Sequence, residues 1–237
     1  MIINCVWEHN GNDTLLYAVE PIGAYARGES LDLAMEKIKN EIVSYMAWSG
    51  AESPSEADLT VRIVQESNCS LHVADADSDV LFEAERAPLS RTEYETLKRL
   101  ALKSAEDFEA MYASVQNPNE SCMPKRKTFY GDVPRTAQEM YDHTRSVNAY
   151  YFGEIGVEAD NEGRIADCRR RGFERLEQTD GFLENPVMEG SYGELWSLRK
   201  VLRRFLWHDR IHAKAMYRMA IRTFGKNGAE NPFGFLT

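Results

Sequence analysis

From Val201 onward the apolar residues Val201, Phe205, Ala215 and Met219 fall on one line with His208 and His212, stepping by four and three. That period belongs to an α-helix with one face turned to a core. Ser191 and Glu194 have the spacing of a capping box, Pro186 and Gly190 break the chain before them, and Gly225 ends the pattern. One long helix is therefore predicted over 191–224, spanning about 50 Å at about 1.5 Å per residue.

The pattern changes period upstream. Residues 1–9, with Ile2, Ile3, Val6 and Trp7, read as a strand, 10–13 as a turn and 14–19 as a second strand of a hairpin. Residues 21–28 read as an extended link. Ser30 caps a helix with Leu31, Ala34, Ile38, Ile42, Tyr45 and Met46 on one side. After a polar loop over 51–57, residues 59–66 alternate as a strand, and 70–74 and 80–83 are expected as further short strands.

Pro88 closes that part, and from Ser90 the period is helical. Capping boxes at Ser90/Glu93 and Thr136/Glu139 open two helices, the first running to about Val115 and the second to about Ile155. Met140, His143, Val147 and Tyr151 form the expected inward stripe of the second. A further helical stretch covers 160–178, with Ile165, Cys168, Phe173 and Leu176. The expected class is α+β: a small sheet-and-helix domain over 1–88, then an all-α domain over 89–237 whose four helices can pack as antiparallel neighbours.

A chain of 237 residues, 43% hydrophobic, can bury one large core or two small ones, and the change of period favours two. No apolar run approaches the ~20 residues of a membrane span, and the N-terminus lacks a basic region before an apolar stretch. The expectation is a soluble cytoplasmic protein without a membrane partner. Cys5, Cys69, Cys122 and Cys168 form no Cys-x-x-Cys pair, so a disulfide framework and a thiolate zinc motif are disfavoured. The net charge of -10 is uneven: residues 1–89 hold 5 Lys and Arg against 16 Asp and Glu, whereas residues 90–237 hold 23 against 22. An acidic face repels phosphate backbones, so no nucleic-acid partner is expected.

His208 and His212 stack about 6 Å apart at Cβ on one helix face, close enough to share a metal ion. Each inward histidine taken alone reads as a hydrogen-bonded core ring. His143 on a second helix makes a three-nitrogen divalent metal site the better reading, with zinc, nickel, copper and iron(II) all suited to imidazole. Asp209 and Asp142 are candidate outer partners of the ligands. His9 and His72 read as structural. His208-Asp209-Arg210-Ile211-His212 also has the histidine spacing of a metalloprotease, but Asp stands where the catalytic Glu belongs and only Glu230 offers a third ligand downstream. The row Arg199, Arg203, Arg210, Lys214, Arg218 and Arg222 reads as a solvated helix face, or as a dock for the acidic part.

Met140-Tyr141-Asp142-His143-Thr144-Arg145-Ser146-Val147-Asn148-Ala149-Tyr150-Tyr151, together with Leu206-Trp207-His208-Asp209-Arg210-Ile211-His212-Ala213-Lys214-Ala215-Met216, resembles the DinB/YfiT superfamily over residues 90–225. The resemblance implies a four-helix bundle with a divalent metal, zinc or nickel, on His143, His208 and His212. It also implies a thiol-dependent S-transferase or isomerase acting on a small-molecule thiol, such as mycothiol or bacillithiol, and an electrophile. Residues 19–32, with the amphipathic helix that follows, are similar to HicB-like domains, which implies a β-β-α-β fold for the first part. The expected function is a metal-dependent thiol transferase or related enzyme. A non-catalytic interaction module with a structural metal, or none, is the alternative, and a homodimer is left open.

Overall fold

The computed structural model describes residues 1–70, 72–73, 78–128 and 131–235, and its class is mixed α and β. The chain forms two compact units: Met1–Tyr94 with Gly181–Trp207, and Glu95–Asp180 with His208–Thr237. The described residues include no helix long and apolar enough to cross a membrane.

The first unit is built on a four-stranded sheet of β1 (Ile2–Asn10), β2 (Asp13–Ala18), β3 (Tyr25–Gly28) and β4 (Thr60–Asn68), in the order β3-β2-β1-β4. Strands β1, β2 and β3 run antiparallel, and β4 runs parallel to β1. The hairpin expected from residues 1–19 is present. Residues 25–28, expected as a link, pair with β2 instead.

Helix α1 (Leu31–Ser49) crosses over between β3 and β4. The Ser30 hydroxyl accepts from the Leu33 N–H at 3.3 Å, and Gly50 closes the helix at φ 81°. Ala34, Ile38, Ile42 and Tyr45 are buried, as their spacing predicts. A Cβ on Gly28 would lie 2.8 Å from the Ala34 nitrogen, so glycine lets the start of α1 close on β3. Tyr17 and Tyr25 alternate with Leu16 and Ala26 across the pleat and meet the Trp207 ring at 6.2 and 6.3 Å.

Residues 78–83 do not add a strand. The Asp79 and Val80 N–H groups donate to Glu8 Oε1 at 3.2 and 3.3 Å. The carbonyls of Ser78, Asp79 and Val80 accept from Arg204, Lys200 and Arg203 at 2.7, 2.7 and 2.8 Å. Side chains thus take the hydrogen bonds that a ladder would use. The strand expected at 70–74 lies partly outside the described residues, since Leu71 and Ala74 are not among them, and Ser70, His72 and Val73 are not in a strand.

Helix α2 (Arg91–Ser114) opens with the predicted box: Glu93 N–H donates to Ser90 Oγ and Ser90 N–H to Glu93 Oε2, at 3.2 and 3.0 Å. A short pair, β5 (Lys127–Thr128) and β6 (Gly131–Asp132), precedes α3 (Ala137–Gly153), whose Thr136/Glu139 box is also complete. Helix α4 (Ile165–Leu176) starts later than its pattern suggested. The Asp160 carbonyl accepts from Asn148 at 2.7 Å, and Asn161 accepts from the Ala149 N–H at 2.8 Å, which holds 160–161 outside the helix. A Cβ on Gly172 of α4 would overlap the Phe152 ring of α3 at 2.1 Å, so glycine permits this close helix packing.

The last helix, α5 (Leu198–Phe224, 27 residues), begins well after Ser191. Residues 188–196 form a small hairpin of β7 (Met188–Glu189) and β8 (Leu195–Trp196), turned by Tyr192 at φ 62° and Gly193 at φ 73°. The Ser197 hydroxyl therefore caps α5 by accepting from the Lys200 N–H at 3.2 Å, while Glu194 pairs with the Lys200 ammonium at 2.8 Å.

The cationic row along α5 is not a solvated face: Arg199, Arg203 and Arg210 are 9%, 1% and 0% exposed. Only Arg218 and Arg222, at the far end of the row, are open to solvent. Arg203 donates to Glu85 Oε2 at 3.1 Å and lies 3.9 Å from the Phe82 ring centre, and Arg199 reaches Glu93 at 3.1 Å. Acids from residues 85–93 supply the countercharge that lets these guanidinium groups leave water.

Arg203→Ala strands the Glu85 carboxylate and should lower stability by about 3–5 kcal/mol, whereas Arg218→Ala should stay within about 0.5 kcal/mol of the parent. Urea unfolding followed by circular dichroism measures both; equal small effects would mean that the buried pair contributes little.

Candidate functional site

Within the second unit, α3 carries His143 and α5 carries His208 and His212, one turn apart. Their ring centres form a triangle with sides of 5.1 Å (His143–His208), 4.6 Å (His143–His212) and 4.4 Å (His208–His212). Nε2 of His208 lies 3.2 Å from Nε2 of His143, and one nitrogen from each of the three rings lies within 4.8 Å of the others. The three residues singled out by spacing thus converge in space.

Their depth differs from expectation. His208 is 6% exposed and His212 is half-buried, but His143 is exposed rather than inward. The buried face of α3 is Ala137, Met140, Thr144, Asn148, Tyr151 and Phe152. Relative to the expected stripe, Thr144 and Asn148 take the places of His143 and Val147. The Asn148 amide must face inward to reach the Asp160 carbonyl, and this turns His143 to the rim. Desolvation still acts on the His143 ring and lowers its pKa from 6.5. Behind the cluster, the buried Tyr151 meets His208 edge-on at 5.9 Å and 88°.

The two aspartates beside these histidines have other tasks. Asp209 is fully buried and takes both guanidinium nitrogens of Arg169, one at 2.5 Å and the other at 3.0 Å; Arg169 also donates to the Ala101 carbonyl at 3.0 Å. Asp142 is exposed and accepts from Arg145 at 3.0 Å and Gln138 at 2.9 Å. The metalloprotease reading loses its base, because Asp209 is committed to Arg169. Among the described residues the cluster of ligand atoms holds three imidazoles and no carboxylate, so Glu230 is not part of it.

His9 pairs with Glu66 at 3.1 Å and stacks on Trp7 at 4.1 Å, a structural role as its isolation suggested, and His72 is exposed. Sequence spacing gave no sign of a second convergence, Glu8 with Cys69 and Asp79 in the first unit. Its members are too far apart along the chain to make a motif.

No protein-family model, curated protein or solved structure matches the chain. The arrangement of its own residues therefore carries the functional reading.

In the metal-free protein the His143 ring should titrate below 6.5, followed by its ring-proton shifts in an NMR pH series. The unfolded chain binds that proton more readily, so acidification through the ordinary histidine range should work against the fold rather than for it. A His143 titration at or above the ordinary value would remove the desolvated ring from this account.

Proposed function

We propose that the chain is a divalent-metal protein of the DinB-like kind, in which α2, α3, α4 and α5 form a bundle and His143, His208 and His212 hold zinc or nickel. The observation that carries this reading is the 3.2 Å separation of the His143 and His208 Nε2 atoms. Two nitrogens bound at about 2.0–2.1 Å to a tetrahedral ion stand about 3.3 Å apart. The donor set, three imidazoles with no acid among them, suits zinc, nickel, copper or iron(II) better than magnesium or calcium.

The chemistry follows from the site's depth. A divalent ion held there would lower the pKa of a bound thiol or water, so that a thiolate or hydroxide is available near neutral pH. His143 at the rim leaves an approach from solvent for a small-molecule thiol and an electrophile, whereas His208 and Tyr151 close the inner side. Asp209 and Asp142 are held by Arg169 and Arg145, so neither serves as a general base. This chemistry supports a metal-dependent thiol S-transferase or a related enzyme, active in the cytoplasm.

One observation favours a second reading, a non-catalytic interaction module. Met188, Tyr192 and Leu195 of the β7–β8 hairpin, with Val187 just before it, are all exposed large apolar side chains, and Tyr192 is 98% exposed. Such clustering marks contact surfaces.

Elemental analysis of the purified chain beside a His208→Ala/His212→Ala variant separates the two readings. One equivalent of zinc or nickel that the parent holds and the variant lacks is the expected result. A variant that holds as much metal as the parent, even after incubation with both metals, would leave the interaction module.

A further inference from the structure

The first unit contains the other convergence of ligand atoms. A carboxylate oxygen of Glu8 on β1, the sulfur of Cys69 just after β4, and a carboxylate oxygen of Asp79 lie within 4.8 Å of one another. Glu8 is fully buried, and among the described residues its oxygens accept from the Asp79 and Val80 N–H groups at 3.2 and 3.3 Å and from the Tyr17 hydroxyl at 3.3 Å. Among the described residues no salt bridge reaches Glu8 or Asp79. Lys200, Arg203 and Arg204 give their hydrogens instead to backbone carbonyls of residues 78–80 and to other acids.

Two further facts bear on what this cluster could hold. A carboxylate oxygen of the fully buried Glu8 and one of Asp79 lie within 4.8 Å of each other, so two acids adjoin in a poorly solvated place. The Ser78 hydroxyl, on a residue 6% exposed, sits against the Glu8 carboxyl and the Tyr17 phenol without a partner in hydrogen-bond geometry. The spacing also fits. Cys69 Sγ stands 3.7 Å from Asp79 Oδ1. A sulfur at about 2.3 Å and an oxygen at about 2.0 Å on one tetrahedral zinc ion would be about 3.5 Å apart.

We propose that Glu8, Cys69 and Asp79 form a thiolate–carboxylate site for a zinc-type divalent cation, separate from the three histidines. On binding, the Cys69 S–H proton passes to solvent, and one thiolate and two carboxylates face the dication. The sulfur selects zinc-like ions over magnesium and calcium. The bound ion ties β1, the end of β4 and residues 78–80 together, and so acts as a pin.

Cobalt(II) titration of the metal-free full-length chain tests this through a signature that imidazole ligands cannot give, thiolate-to-cobalt charge transfer in the near ultraviolet. The titration uses a Cys122→Ser background, because Cys122 is an exposed thiol. One equivalent of such absorption should appear, persist in His208→Ala/His212→Ala and vanish in Cys69→Ser. Asp79→Asn, at an exposed position, should keep the fold while weakening the cobalt midpoint about tenfold or more. No charge-transfer band in the parent, or a band that survives Cys69→Ser, would overturn the site. Because the band depends on Cys69, it tests this site whether or not the histidines bind metal.

Discussion

Burying Asp209 at zero exposure sets the geometry of the second unit. An ionised carboxylate out of water loses several kcal/mol of solvation unless a cation with matching geometry meets it. Arg169 on α4 does so with two nitrogens, and its remaining reach is used on the Ala101 carbonyl of α2. That contact fixes the rotation of α5 in this unit. Successive helical residues point about 100° apart, so once Asp209 faces α4, His208 must face a different neighbour, and that neighbour is α3. The imidazole triangle depends on an ion pair that contains none of its members.

The first unit solves a related problem with the roles reversed. There the chain from Ser78 to Val80 has backbone groups inside the unit and no strand to pair with. Glu8 accepts its amide hydrogens, and Lys200, Arg203 and Arg204 fill its carbonyls. The cations of α5 thus serve as backbone partners as much as ion-pair partners. Lys200 shows the tension of that use: burial pushes its pKa down to about 8, and the Glu194 carboxylate resists the shift. A lysine that is fully enclosed keeps its proton there because two carbonyls and one carboxylate surround the ammonium.

What the sequence made legible was what local chemistry decides. Ser30, Ser90 and Thr136 announced their helices because a hydroxyl at the N-cap acts on amides two or three residues away, and Asn10 to Asp13 announced a turn for equally local reasons. The spacing of His208 and His212 likewise needed only helical geometry. The arginine row was open to two readings because four-residue spacing is the same for a solvated face and for one met by acids of the first part; only the fold brings Glu85 to Arg203. Ser191 and Glu194 have the letters of a capping box, but pairing of Glu189 with Leu195 draws that stretch into a hairpin and leaves the cap to Ser197. Non-local contacts overrode local ones at each of these places.

His143 shows how small such an override can be. A slip of one residue in which α3 positions face inward, fixed by Asn148 reaching for Asp160, moves the imidazole from the core to the rim while leaving its ring beside those of α5. An inward triad would enclose an ion as structural sites do. A triad with His208 buried and His143 at the surface would hold an ion whose outer side a small molecule can reach. The same amide that displaced the expected stripe is thus the feature on which the proposal of an open rather than a closed site rests.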